Sequence, residues 1–559
     1  MLVLFVIMAA ILVGVMSANG SRSGNGLAAT GNTALAQSPS RMGSATAFNT
    51  AEAGVASALQ WLSSRSSPPA NTTAFAPSLW GGTQAGTPAR TVVAFPTPDD
   101  PNSHFSVVIY PGQENPNNIL KRFLIESIGT SRGRSQILQV CVQLKSFGHY
   151  AFFNDRCSGG YWASNNRSFD GPVHFNSYGA TPGILWRPGT EPLFKYDGKD
   201  AFTVATPTIN WAKGNTGTGP NAMPQTEDDW KTVAVGGAST VKWGVPNAWM
   251  PTASTDQRDA ALGPTTPESA AQAQTGVTIP NSAMAANGGI YIQGDVEQMT
   301  LGVNNRVNQI ITVRQKDASD NPVITTVTLN AQTEQTVVTT QRVVNGAPTT
   351  TTASYAGLTN GVVYCNGNIG GQTEPKRGGL EGVIADNQVN AAGKVTHFNG
   401  LNIVTNEANN VNINGDIVHY TPRQRVNGQL VPQKDDTGEF KTRAGILGIV
   451  SNTVQALDTD SAGNPLNALE VNAAVLAFNT YEVYNYNTRP KGTFLNMGSF
   501  CIRNGARINV TDGSGEVING LFFDRRYDNR LADTPPPYFP TTGKLYNVLS
   551  WRRVGQTLQ

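Results

Sequence analysis

The stretch that decides the fold is YIQGDV, Tyr291 to Val296, because YCNGNI (Tyr364 to Ile369) and NINGDI (Asn412 to Ile417) share its template. Each has an apolar residue, then Gln or Asn, Gly, Asp or Asn, and Val or Ile. A glycine flanked by amides and carboxylates lets the backbone take positive φ, which a tight bend between short strands needs. Gly294, Gly367 and Gly415 are therefore candidate turn positions. Short apolar runs continue in GVIADNQV, GLNIVTNE, GILGIVSNTV, LEVNAAVLAF and GSFCIRNGARINV, each bounded by Gly or Asn, with single asparagines placed to stack in ladders between equivalent turns. Such rung-like recurrence predicts a β-solenoid (parallel β-helix), in which a coil buries its inner face only by stacking on its neighbours. The spacing is irregular, so an ordinary β-sandwich is the alternative.

Composition agrees with a turn-rich β protein outside the cytoplasm. The chain has 559 residues, enough for more than one folded unit, and charged residues make up only 14%. The formal net charge of +2 comes without any Lys/Arg block, which argues against nucleic acid as a partner. Four cysteines, Cys141, Cys157, Cys365 and Cys501, are too scattered for a disulfide scaffold. Cys141 and Cys157 are placed to form a bridge in an oxidising compartment; Cys365 and Cys501 lie in apolar strand patterns and read as small buried hydrophobes.

Residues 1–18, MLVLFVIMAAILVGVMSA, carry no charge. As a helix they would span roughly 27 Å, close to the hydrocarbon thickness of a bilayer. Leu2, Val3, Leu4, Phe5, Val6, Ile7, Ile11, Leu12 and Val13 are the expected membrane anchor, in contact with lipid. The first positive charges, Arg22 and Arg41, follow this segment, so orientation by the positive-inside rule would be reversed. A start lying upstream resolves this, and in-frame codons are then expected to encode a short Lys/Arg-rich leader ending near Gly. A cleaved secretory signal fits less well, for want of a positive n-region.

After a small, polar stretch, AFNTAEAGVASALQWL (Ala47 to Leu62) predicts an amphipathic helix. Phe48, Ala51, Val55, Leu59 and Leu62 recur on one face, and Pro68-Pro69 stop the run. Glu52 stands at the edge of that face, one turn from Phe48. On periodicity alone it is an ordinary solvated residue.

The apolar N-terminus, the polar stretch and A-F-x-x-A-E-A-G (Ala47 to Gly54) together resemble the N-terminal region of PilX-like minor pilins of type IV pilus systems. FLIESIGTSRGRSQILQVCVQL (Phe123 to Leu144) is similar to the strand pair that closes the small head of such proteins. The resemblance implies a helix anchored in the inner membrane, single-pass, that later packs in a filament core while the head stays outside. It implies pilin-like subunits and the inner-membrane assembly machinery as partners, and Glu52 as a candidate subunit contact. No Glu lies within the apolar run, where major pilins carry one, so an accessory subunit is expected. The remainder, with GPVHFN (Gly171 to Asn176), GGIYIQGDV, GVVYCNGNI and the terminal GLFFDRRYDNRLADTPPPYFP and LSWRRV, resembles a domain of uncharacterised function that accompanies PilX-like N-termini.

The expected organisation is therefore a pilin-like helical segment over 1–66, a small β head over 67–148 and a β-solenoid-like ectodomain over 149–557. A hairpin insertion is expected near 303–353, where Val307 to Val344 alternates strongly and breaks at Asp320-Asn321-Pro322. Ser254 to Thr275 reads as a mobile surface connection. Pro535-Pro536-Pro537-Tyr538-Phe539-Pro540 reads as a cap on an open solenoid end, with a partner-docking strap as the alternative.

Chemistry is thin. A glycosidase needs two carboxylates about 5 to 9.5 Å apart. Asp295 and Asp416 sit at equivalent template positions, where accepting backbone N–H bonds is the ordinary role. Asp524 and Asp528 stand among Arg525, Arg526 and Arg530, which points to ion pairing. The histidines, His104, His149, His174, His397 and His419, lack metal-ligand spacing, and no nucleotide-binding or nucleophile motif is present. No cofactor, no metal and no catalytic residue is expected. The expected function is a structural accessory subunit for assembly or surface adhesion, and the rival is a secreted or surface β-helix that binds or cleaves polysaccharide.

Overall fold

The computed structural model describes residues 39–64 and 90–554, except 99, 112–121, 157–160, 164–167, 177–180, 215–221, 274, 345, 375, 422, 427–428, 433–442 and 513–515. The expected anchor, Leu2 to Val13, and Cys157 lie outside the described residues. The chain is mainly β, with one long helix near its N-terminus.

That helix, α1 (Pro39–Ser64), lies on an antiparallel sheet of β1 (Thr91–Ala94), β2 (His104–Pro111), β3 (Arg122–Ser131) and β4 (Arg134–Ser146). β3 and β4 form the expected strand pair. Their connection uses Arg132 and Gly133, both at positive φ (49° and 68°), the twist that tight hairpin turns require. Alternate residues of β3 are buried, as a sheet with one covered face demands. The sheet gains its fifth strand, Thr541–Val554, from the C-terminus, paired antiparallel to β4. The head therefore extends beyond 67–148 and takes in the end of the chain.

The helix face differs from its periodicity. Ala47, Ala51, Ala58, Trp61 and Leu62 are buried, whereas Phe48 and Leu59 are only partly so. Close approach is the reason. A Cβ on Gly129 of β3 would stand 2.1 Å from the Ala47 carbonyl oxygen, and one on Gly54 would stand 2.2 Å from Ser127 Oγ. Two glycines thus let helix and strand backbones nearly touch, which selects the small residues for the contact line.

The large unit is built from parallel ladders. After β4 the chain forms β5 (Phe152–Asn154), β6 (Val173–Phe175), β7 (Phe202–Val204) and β8 (Val241–Trp243), each parallel to the one before. It then runs to β9 (Ile290–Gln293) at the far side of the sheet. From there it works back through β15 (Val362–Asn366), β17 (Gly400–Thr405), β19 (Ile446–Ala456), β21 (Ala474–Val483) and β22 (Gly492–Ile502). β22 pairs parallel with β5, so the ladder closes in its middle. A second parallel ladder joins β10 (Gln298–Asn304), β16 (Leu380–Ile384), β18 (Asn410–His419), β20 (Ala468–Val471), β22 and β23 (Val517–Tyr527). The C-terminal strand Thr541–Val554 is β24.

Both faces of the first ladder are apolar, as parallel sheets require. Val363, Ile403, Ile449, Val475 and Phe500 face one core, while Tyr364, Val404, Val450, Leu476 and Cys501 face another. The second core is covered by the connection from β8 to β9. Ser254 to Thr275, expected as a mobile surface segment, instead forms α2 (Thr255–Leu262) and α3 (Glu268–Ala271), burying Ala261, Leu262 and Ala271. A sheet face needing cover holds the segment down.

The proline strap also covers this side and not an open end. Pro537 occupies the space a Cβ would need at Gly361 and Gly400 (2.9 and 2.8 Å), and Pro536 does so at Gly448 (2.9 Å). Phe539 is buried, and Phe147 N–H donates to the Pro540 carbonyl at 3.0 Å. The expected hairpin insertion is a longer antiparallel meander of β10, β11 (Asn308–Lys316), β12 (Pro322–Asn330), β13 (Gln335–Val344) and β14 (Ala347–Ala356). Cys141 is free, and Cys157, with which the sequence allows a bridge, lies outside the described residues.

Candidate functional site

The candidate contact region lies on the head, where α1 meets β24. Phe48 packs edge-on against Trp551, centroids 5.9 Å apart, and the Arg553 guanidinium sits 5.8 Å from the Phe48 ring centre. Arg553 Nε donates to Gln136 Oε1 at 2.6 Å, and Gln136 Nε2 donates to Ser44 Oγ at 3.0 Å. This chain of contacts ties the C-terminal strand to the N-terminal helix through β4.

Glu52 follows Phe48 by one turn. It is half-buried, and its Oε2 is shielded from solvent without a hydrogen-bond partner. Burial raises its carboxyl above the usual range. Removing a carboxylate oxygen from water with no donor opposite is costly. The ordinary solvated role therefore does not describe it.

β24, which Phe48 meets one turn before Glu52, is an edge of the head sheet and exposes Val548 (55%), Leu549 (39%) and Trp551 (49%). Its register shifts between Val548 and Ser550, the kind of irregularity that protects an edge from indiscriminate pairing. A half-buried anion next to an exposed apolar edge can accept a cation or N–H donor while the edge buries apolar area. The motif LSWRRV carries this edge, but only pairing with β4 shows that it belongs to the head.

The other candidates fall elsewhere. Gly294 (φ 88°) and Gly367 stack directly: a Cβ on Gly367 would lie 2.4 Å from the Gly294 carbonyl carbon. Gly415 lies inside β18, where its Cβ would meet Glu381 Oε2 at 2.4 Å, so it is not at a turn of that column. Side-chain ladders run through the same corner. Asn366 Nδ2 donates to Gln293 Oε1 and Asn406 Nδ2 to Asn366 Oδ1, each at 3.0 Å. Asp295 Oδ1 accepts from Asn368 N at 2.7 Å, and Asn368 Oδ1 accepts from Asn410 N at 3.0 Å.

Asp416 Oδ1 accepts from Glu470 N at 2.8 Å, so both template aspartates hold backbone of the next layer. Asp524 pairs with Arg526 at 3.1 Å and Asp528 with Arg530 at 2.5 Å. Buried His174 bridges Thr203 and Asn176. Among the described residues, no cluster of three His, Cys, Asp or Glu is placed to hold a metal, and no helix is long and apolar enough to cross a membrane.

No protein-family model matches the chain, and no curated protein matches it. Among solved structures it is similar to the competence-associated pilin ComZ from Thermus thermophilus, with a TM-score of 0.28 and 14% identity over 95% of this chain and 99% of that one. A likeness at that level carries no argument about fold or function.

Proposed function

We propose that the chain is a PilX-like accessory subunit of a type IV pilus or related envelope filament. In this reading Leu2 to Val13 anchor it in the inner membrane by a single pass, and the β-rich unit stands outside as a β-solenoid serving assembly or surface adhesion. The observation that carries the proposal is the head: α1, which follows the apolar run in sequence, lies along an antiparallel sheet and carries Glu52, its Oε2 without a partner, one turn after the Phe48 that packs on the exposed edge strand β24. A neighbouring subunit's Arg or N–H groups would neutralise that carboxylate and fix register. Parallel ladders with stacked asparagines support the solenoid, since both belong to coils laid on one another.

The role is structural and not enzymatic in this proposal, because Asp295 and Asp416 are spent on backbone N–H groups. Glu52→Ala tests it: the full chain should remain folded while its recovery with sheared surface filaments falls. Equal recovery of mutant and wild type would contradict the assigned contact.

A further inference from the structure

β24 ends the head sheet, and among the described residues no strand pairs with its outer side. Six successive residues, Val548 to Arg553, are exposed, where a strand with one covered face would alternate. The register shift lies between Val548 and Ser550; beyond it, Ser550 to Val554 pair without a break with Cys141 to Ile137. A straight, open edge of five residues is left, and such an edge accepts one further strand.

Charge says which strand. The segments that build the head, residues 39–64, 90–146 and 541–554, carry ten Lys and Arg against five Asp and Glu, while the whole chain is nearly balanced at 40 against 38. β24 itself has Lys544, Arg552 and Arg553 and no acid. Both arginines are held by amides: Arg552 Nε donates to Gln139 Oε1 at 2.8 Å, as Arg553 Nε does to Gln136, and among the described residues no carboxylate pairs with either. Glu126, which accepts from Gln139, is paired with Arg90. Arg553 sits over Phe48 on the helix side, so Arg552, one residue earlier, points to the opposite face. A strand laid beside β24 therefore meets one unneutralised arginine on each face.

Neither sheet edge of a second copy supplies that strand. β24 against β24 would bring arginines together, and the other edge, β1, reads Thr-Val-Val-Ala, without an acid and preceded by Arg90. An anionic lipid surface would answer the charges but leave the backbone edge unpaired. We propose that β24 pairs with a strand of a different subunit, one that sets apolar, acidic, acidic and apolar residues against Trp551, Arg552, Arg553 and Val554. The pattern reads the same in both directions, so it serves parallel and antiparallel pairing alike. The inference rests on the reading of the head as a subunit contact and names the chemistry of the partner.

The test is fluorescence anisotropy with the full chain and a labelled, end-blocked peptide, Thr-Thr-Val-Glu-Glu-Val-Thr-Thr, beside counterparts carrying Gln-Gln or Lys-Lys at its centre. The Glu-Glu peptide should bind about fivefold more tightly than either, or better, as two ion pairs allow. N-methylation of one alternate set of its amides should abolish binding while the other set is tolerated, the mark of a strand paired on one side. Arg552→Gln with Arg553→Gln should weaken binding about fivefold at unchanged melting temperature, whereas Lys at both positions should retain most of it. Phosphatidylglycerol vesicles are the competing probe. No binding of the Glu-Glu peptide at millimolar concentration, equal binding of the Gln-Gln peptide, indifference to both N-methylated sets, or arginine variants that lose the vesicles but keep the peptide would overturn the proposal. The peptides need no filament, so this test succeeds or fails apart from the filament reading.

Discussion

Phe152 and Phe500 stand in register on adjacent parallel strands, their rings stacked with centroids 6.0 Å apart, although they lie near the two ends of the large unit in sequence. β4 and β24, which precede and follow the large unit in the chain, pair with each other in the head. The large unit is inserted between two adjacent strands of the head sheet. Phe152→Ala and Phe500→Ala should each destabilise by about 3 to 5 kcal/mol. A double-mutant cycle in chemical denaturation should show coupling of about 0.5 to 1.5 kcal/mol, and strict additivity would refute the contact.

The close helix-to-strand approach makes Gly129 sensitive. Gly129→Ala should drive the added methyl into the Ala47 and Ala51 backbone, since the nearest atoms lie at 2.1 and 2.2 Å. Overpacking of this kind costs about 1 to 3 kcal/mol or more. Limited proteolysis should then cut α1 loose from the sheet at lower temperature than in the wild type; an unchanged cleavage temperature would mean that the helix is not seated there.

Legibility varied with the physics of each element. The repeated Gly template pointed to stacked β layers, and Tyr291 does pair with Tyr364, Gln293 with Asn366. It failed at NINGDI, because the next layer on that column is VTNEANN, held by Asn406 and not by a glycine. The reversal of path between β8 and β9 left no trace in sequence, since strands buried on both faces look alike whatever their order. The helix was legible, but its large residues misplaced the buried face that Gly54 and Gly129 select. LSWRRV was assigned to the large unit by resemblance, whereas long-range pairing puts it in the head.

Asparagine stacking is testable by deletion of one rung. Asn366→Ala removes both its donation to Gln293 and its acceptance from Asn406. The stranded partners should cost about 1 to 3 kcal/mol. Urea denaturation should show a lower midpoint with unchanged slope; no shift would mean that the ladder is ornamental to stability.

Glu52 gives a pH signature. Its carboxyl is raised by burial above the ordinary 4.5, so the folded state binds the proton more tightly than the unfolded state does. The stabilisation from protonation is complete below 4.5 and is lost as pH rises through the folded value. Glu52→Gln should therefore melt higher than wild type at pH 7, with the gap closing as pH falls below about 4. A wild type that melts higher at pH 7 would show that the carboxylate is already well paired within the chain.

The filament claim is tested most directly by a photo-crosslinking side chain in place of Trp551, in the full chain expressed in its native host. The account predicts that the chain is recovered with sheared surface filaments and that light joins position 551 covalently to a filament subunit, with the yield reduced by Glu52→Ala. A chain absent from the filament fraction, with no crosslink to any filament subunit, would contradict it.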